Sequence, residues 1–253
     1  MTIIDSHCHP QFSQYDQDRE EVIKRALDTN VHMICVGTDL EMSQKAVELS
    51  EKYDSIWASA GLHPTEVSEV QEPTRAAYEK FIKHNKVVAV GEVGLDYYRI
   101  KDKILQNKQK EMFIEFLDLA MSNKKPLIIH CREAYDDLLK IIGNSKISGV
   151  IHSFTSDFKT AEKFLAKGFF IGFNGIITFT DQYNEAVINT PLTRTLIETD
   201  APYLTPEPYR GKRNEPSYVI EVAKKIAELK NIPVEEVTEQ TTKNTLKLFG
   251  LND

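Results

Sequence analysis

Short apolar runs recur along the whole chain, and between them lie longer stretches in which apolar residues return every three or four positions. Several of the short runs are apolar almost throughout, which is typical of parallel strands covered on both faces. The runs that predict strands are residues 2–5, 33–37, 56–62, 87–92, 127–131, 150–154, 169–173 and 195–199.

The stretches between these runs predict amphipathic helices. Leu105, Met112 and Phe116, for example, share one stripe of a helix whose other face carries Lys, Gln and Glu. Alternating strands and helices of this number predict a (β/α)8 TIM-like barrel, and 253 residues is an ordinary length for one. An open doubly wound sheet is the alternative, but such sheets more often have about five or six strands. No linker or shift in composition divides the chain, so we expect one domain over residues 1–253.

Side chains that bind metals follow the predicted strands at the points where those strands end. They are His7, His9, Glu92, His130, His152 and Asp200. In a parallel barrel the carboxyl ends of all strands share one rim, where barrel enzymes carry their active sites. Two histidines two positions apart on an extended segment also point the same way, so His7 and His9 can bind one ion together. The sequence therefore predicts a metal site on this rim.

The ligand set favours two divalent ions, because four imidazoles and two carboxylates exceed what one tetrahedral ion uses. Glu92 is central in chain order and is the natural bridge between the ions. Asp200 is placed to bind one ion and to take a proton from the attacking water. Asp5, two residues before His7, is expected to orient an imidazole from behind the ligands. Imidazole and carboxylate together suit Mg, Mn, Zn, Ni or Fe, so the identity of the metal stays open.

The motifs around these residues resemble those of the TatD family of metal-dependent hydrolases and deoxyribonucleases, within the amidohydrolase-like barrel superfamily. In chain order they read DSHCH, GLHP, GEVGLDYY, IIHCR, IHSF and ETDAPYL, and GKRNEP resembles the family's closing motif. The resemblance implies a two-metal centre that cuts phosphodiester bonds. It also implies that the first ion is held by His7, His9, Glu92 and Asp200 and the second by Glu92, His130 and His152.

The function that the resemblance implies is a phosphodiesterase, and we expect it to act on DNA ends or short single strands. The resemblance implies that His63 contacts the substrate phosphate or assists proton transfer, and Arg132 and Arg213 are expected to bind phosphates. One alternative is a small-molecule amidohydrolase acting on a lactone, cyclic amide or aminoacyl ester. Related barrels often use a carbamylated lysine where this chain has Glu92, which favours the phosphodiesterase. The other alternative is a non-catalytic metal-binding protein.

The net charge of the chain limits the kind of nucleic acid that we expect as a substrate. The net charge of −7 counts against a protein that coats long nucleic acid, so nucleic acid is expected as a substrate rather than a stable partner. Two divalent ions would leave the rim itself positive, which suits strand ends and short pieces. Three cysteines without a CxxC pair and the lack of a secretory signal predict a cytoplasmic protein. No apolar run is long enough for a membrane span, and no feature specifies an oligomeric state.

Overall fold

The computed structural model describes residues 2–68 and 75–251. Within them, eight parallel strands follow one another around the sheet in chain order. This arrangement confirms the predicted (β/α)8 barrel and rules out the doubly wound alternative. The strands are β1 (Ile3–Cys8), β2 (Val31–Val36), β3 (Ile56–Ala60), β4 (Val87–Asp96), β5 (Leu127–Arg132), β6 (Gly149–Ile151), β7 (Phe170–Phe173) and β8 (Thr195–Ile197).

Helices cover the outer face of the barrel. They are α1 (Arg19–Asp28), α2 (Leu40–Lys52), α3 (Arg75–Ile82), α4 (Lys103–Asn123), α5 (Tyr135–Ile142), α6 (Phe158–Ala166), α7 (Asn184–Asn189), α8 (Val219–Lys230) and α9 (Val234–Phe249). Asp39, Asp102 and Asp157 cap three of them by accepting hydrogen bonds from first-turn N–H groups. In the described part of the chain, no helix is both long and apolar enough to cross a membrane.

Backbone hydrogen bonds join the segment after β8 to β1, and we call this contact the seam. The N–H of Asp200 donates to the carbonyl of His7 at 2.9 Å, and the N–H of His9 donates to the carbonyl of Ala201 at 2.8 Å. The seam therefore ties the two chain segments that carry His7, His9 and Asp200 directly to each other.

Apolar side chains pack in two layers, one on each face of the strands. The larger layer lies between strands and helices and includes Cys8 and Cys131. The smaller one, which we call the barrel floor, consists of Ile34, Val36, Val88, Ala89, Ile128, Val150, Phe170, Leu196, Leu248 and Phe249. Most of its strand residues lie at or near the amino ends of their strands, and the last residues of α9 pack against them. The floor therefore fills the end of the barrel opposite the carboxyl rim.

Several strands end at different residues from those predicted. β1 continues to Cys8, so that His7 lies inside the strand, and β4 continues past Glu92 to Asp96. β8 instead stops at Ile197, two residues before its predicted end. The N–H of Glu198 still donates to the carbonyl of Phe173 in β7, but the two that follow bind elsewhere: that of Thr199 donates to the Asp5 carboxylate, and that of Asp200 donates across the seam.

Candidate metal centre

Glu92 lies in the middle of the carboxyl rim, and histidines from three other strands surround it. Its Oε1 is 2.9 Å from Nε2 of His152 and 3.0 Å from Nδ1 of His130. Its Oε2 is 3.4 Å from Nε2 of His7. The Glu92 side chain is 4% exposed, so these imidazoles rather than water solvate its charge. Glu92 thus has the central place that its position in the chain predicts.

His7, His9 and Asp200 form the other half of the cluster. The Nε2 atoms of the two histidines lie 3.2 Å apart. Oδ1 of Asp200 lies 3.5 Å from Nε2 of His9 and 3.7 Å from Nε2 of His7. Asp200 has a φ of 57°, in the left-handed region that Asp and Asn adopt more readily than most residues. This backbone geometry and the seam fix the Asp200 carboxylate beside both rings.

Two of the histidines are oriented by an acceptor bound to the ring nitrogen that faces away from the centre. Nδ1 of His9 is 2.8 Å from the carbonyl of Val36, and Nε2 of His130 is 3.1 Å from Oδ2 of Asp96. Since ionised carboxylates and carbonyls only accept hydrogen bonds, these outer nitrogens carry the protons. In the neutral form of each ring, which is the form that binds metal, the other nitrogen presents a lone pair to the centre.

Glu198 does the same for His152, and sequence reasoning missed it. Its Oε1 lies 3.2 Å from Nδ1 of His152 and accepts the N–H of Ser153 at 2.5 Å. A Cβ at Gly172 would lie 2.6 Å from Oε2, so the glycine in β7 leaves the space that Glu198 occupies. The sequence did offer one signal for Glu198, which is its charge near the end of an apolar run. A buried carboxylate is costly unless it is paired, so a charge in that position indicates a partner.

The donor set fits divalent cations. Three groups have ligand atoms within 4.8 Å of one another: His7–His9–Asp200, His7–Glu92–His152 and His63–Glu92–His130. Imidazole nitrogen and carboxylate oxygen are ligands for the first-row divalent metals. Ring nitrogens of several histidines thus converge on two carboxylates, which is an arrangement that a cation would stabilise.

The electrostatics of the cluster keep both carboxylates in the form that binds metal. Burial alone would raise the pKa of Glu92, but His152, His63 and His7 lower it well below its usual value. The pKa of Asp200 is also lowered, since the neighbouring histidines outweigh burial. Both side chains therefore stay ionised at neutral pH, as metal ligation requires.

Asp5 acts on the main chain more than on the rings. Its carboxylate accepts hydrogen bonds from the N–H of His7 at 3.2 Å, from the N–H of Thr199 at 2.9 Å and from the Thr199 hydroxyl at 2.5 Å. Asp5 thus fixes the backbone of β1, which carries His7, against the segment that leads to Asp200.

The two arginines predicted to bind phosphate differ in the contacts that they make within the protein. The guanidinium of Arg132 stacks 3.7 Å above the ring of Tyr98, and both side chains are exposed near the rim. Arg213 instead donates to both carboxylate oxygens of Asp18, at 2.8 and 2.6 Å, and to the carbonyl of Gln14. Phosphate binding by Arg213 would compete with this ion pair, whereas the exposed guanidinium of Arg132 forms no ion pair with any of the described residues.

His63 lies closer to the cluster than sequence reasoning placed it. It comes shortly after β3, and its Nε2 is 3.5 Å from Oε1 of Glu92. Burial lowers the pKa of His63 to about 3, so its imidazole is neutral at physiological pH.

A (β/α)8 barrel with histidines and carboxylates gathered on its carboxyl rim belongs to the class of metal-dependent barrel hydrolases. Residues 4–250 match the family described as TatD related DNase. The chain therefore belongs to the TatD family, and it is a metal-dependent hydrolase of that family.

Relatives match over nearly the full length. The uncharacterized metal-dependent hydrolase YabD of Bacillus subtilis is 41% identical, over 99% of this chain and all of that protein. The uncharacterized metal-dependent hydrolase YcfH of Escherichia coli K12 is 38% identical, over 100% of this chain and 97% of that protein. The crystal structure of YjjV, a TatD homolog from the same strain, superposes with a TM-score of 0.91 at 30% identity, covering 99% and 98% of the two chains.

Proposed function

We propose that this hydrolase is a phosphodiesterase that cleaves DNA at strand ends or in short single strands. The observation that supports it most is the cluster itself: ring nitrogens of several histidines converge on Glu92 and Asp200 at the open rim of the barrel. The description of the matched family, TatD related DNase, favours DNA among phosphodiester substrates.

We expect this cluster to bind two divalent ions. His7, His9, Glu92 and Asp200 would hold the first, and Glu92, His130 and His152 would hold the second. When bound, such ions supply positive charge that activates the attacking water and stabilises the leaving oxygen. Glu92 suits the shared position because its two oxygens face different histidines, Oε1 facing His152 and His130 and Oε2 facing His7.

The chain's own residues then position the substrate and move one proton. Arg132 is placed to bind a phosphate oxygen through its exposed guanidinium, while Tyr98 supports one face of that group. As the water oxygen forms its bond to phosphorus, its proton passes to the Asp200 carboxylate, and the bond from phosphorus to the leaving oxygen breaks. Asp200 can take this proton because it is ionised and fixed in place by the seam.

The test uses the purified full chain with single-stranded oligonucleotides labelled at the 3′ or 5′ end. We expect cleavage that requires Mg²⁺ or Mn²⁺ and stops with chelator. Glu92→Gln should lose both cleavage and bound metal, while Glu115→Gln, an exposed position on α4, should behave as wild type. A lactone, cyclic amide and aminoacyl ester panel is run in parallel. Metal-dependent turnover of that panel without oligonucleotide cleavage would overturn the proposal.

A further inference from the structure

His63 has the same surroundings as the histidines proposed to bind metal. We propose that His63 is itself a metal ligand, binding through Nε2 together with Glu92 and His130, rather than a contact to the substrate phosphate. This inference rests on the proposed metal centre and redraws the position of its second ion.

The first support is convergence on one oxygen. Nε2 of His63 and Nδ1 of His130 lie 3.5 and 3.0 Å from the same atom, Oε1 of Glu92. The two rings are edge to face, with centroids 4.5 Å apart and planes at 68°. Their ligand atoms and that of Glu92 all lie within 4.8 Å of one another. One cation can therefore contact all three side chains.

The second support is the partner of the outer nitrogen. Nδ1 of His63 lies 2.6 Å from Oγ1 of Thr65, and the Thr65 hydroxyl donates its proton to Oε1 of Glu66 at 2.9 Å. Because that proton is already engaged, the short contact needs a proton on Nδ1. The Thr65 N–H, at 3.2 Å from Nδ1, would require the opposite tautomer. The much shorter hydroxyl contact outweighs it, so Nε2 keeps its lone pair.

This tautomer bears directly on the role of the ring. A phosphate oxygen only accepts hydrogen bonds, so a neutral His63 whose proton is on Nδ1 has nothing to donate to it from Nε2. A lone pair on Nε2 is instead what a cation requires. The same arrangement holds for His9, His130 and His152, whose outer nitrogens bind Val36, Asp96 and Glu198.

The experiment measures metal binding rather than turnover. The full chain is dialysed against Mn²⁺ or Zn²⁺, metal per chain is counted by inductively coupled plasma mass spectrometry, and affinities are measured by competition with a fluorescent chelator. We expect His63→Ala to lose one ion, or to bind its weaker ion at least about 100-fold less tightly. Thr65→Val should weaken that ion by about 10–100-fold, the usual cost of losing an outer partner.

Two matched variants complete the test. Thr65→Ser keeps the hydroxyl, and His84→Ala removes a histidine that contacts Glu51 instead of the cluster, so both should bind metal as wild type does. Thermal unfolding in chelator shows whether each variant is folded. If the wild type binds fewer than two ions, the proposed two-metal centre fails. If the wild type binds two ions and His63→Ala binds them equally well but has a raised KM for oligonucleotide, only the inference about His63 is overturned.

Discussion

The floor and the rim of this barrel are built from opposite kinds of side chain, although they lie on the same strands. In β5, Ile128 belongs to the apolar floor and His130, two residues later, belongs to the metal cluster. In β4, Val88 and Glu92 are divided in the same way. Burying apolar groups stabilises the fold, whereas burying ionisable groups costs stability unless they are paired or bound to metal. The two ends of the barrel therefore make opposite contributions to its stability.

Left-handed backbone conformations occur at both ends of the barrel, since Asn30 and Lys124, which precede β2 and β5, have φ values of 57° and 53°. Glu133, Ser153 and Asp200, which follow β5, β6 and β8 at the rim, have φ values of 55°, 46° and 57°. A non-glycine residue held in this region costs on the order of 1–3 kcal/mol and persists only where surrounding contacts impose it. The conformation of these rim residues therefore depends on the surrounding contacts, and the apolar floor and outer layer supply the burial that stabilises the fold around them.

The largest expected effect tests the chemical role of the rim. Asp200→Asn removes the proposed proton acceptor but keeps a residue that tolerates a positive φ, so the fold should persist. We expect kcat for oligonucleotide cleavage to fall by about 10²–10⁴-fold. Asp157→Asn is the control, since Asn caps a helix as well as Asp does. Unchanged kcat in Asp200→Asn would remove Asp200 from the proposed mechanism.

The next prediction tests the floor. Phe249→Ala empties a buried position at the end of α9 and should lower the free energy of unfolding by about 3–5 kcal/mol. The kcat of the folded fraction should match wild type, because no rim residue changes. Chemical denaturation is measured in chelator, since bound metal would add its own stabilisation. A large drop in kcat without loss of stability would show that floor and rim are not separable.

The smallest expected effect tests Glu198, which contacts His152 from behind the metal cluster. Glu198→Gln keeps the size that Gly172 accommodates but weakens the acceptor for Nδ1 of His152, and we expect metal affinity to fall by about 10–100-fold. Glu215→Gln is the matched control, because this buried carboxylate pairs with Arg25 instead of a histidine. If both variants lose metal affinity equally, Glu198 does not act through His152.

The barrel and its rim could be predicted because their signals are local. Each strand is a short apolar run, and each candidate ligand follows such a run, so alternation with helices was enough to place His130 and Asp200 on one rim despite their separation in the chain. The match of residues 4–250 to the family described as TatD related DNase confirms the family that the motifs predict.

The groups that bind the outer ring nitrogens of the cluster histidines could not be predicted, because they depend on which atoms come into contact between neighbouring strands and loops. Asp96 faces His130 only because β4 runs on beside β5, where Asp96 pairs with Arg132. The link from Thr65 and Glu66 to His63 depends on how the chain turns after β3. No period in the sequence specifies such geometry.

The seam also has a consequence for synthesis of the protein. Hydrogen bonds from Thr199 to Asp5 join residues that lie 194 positions apart in the chain. Asp200 is the residue after Thr199, so it comes beside His7 and His9 only when these two segments meet. A nascent chain that has emerged only as far as β7 therefore has every imidazole of the cluster but lacks the Asp200 carboxylate. The metal cluster therefore stays incomplete on the ribosome until β8 and the segment after it have emerged and the barrel can close.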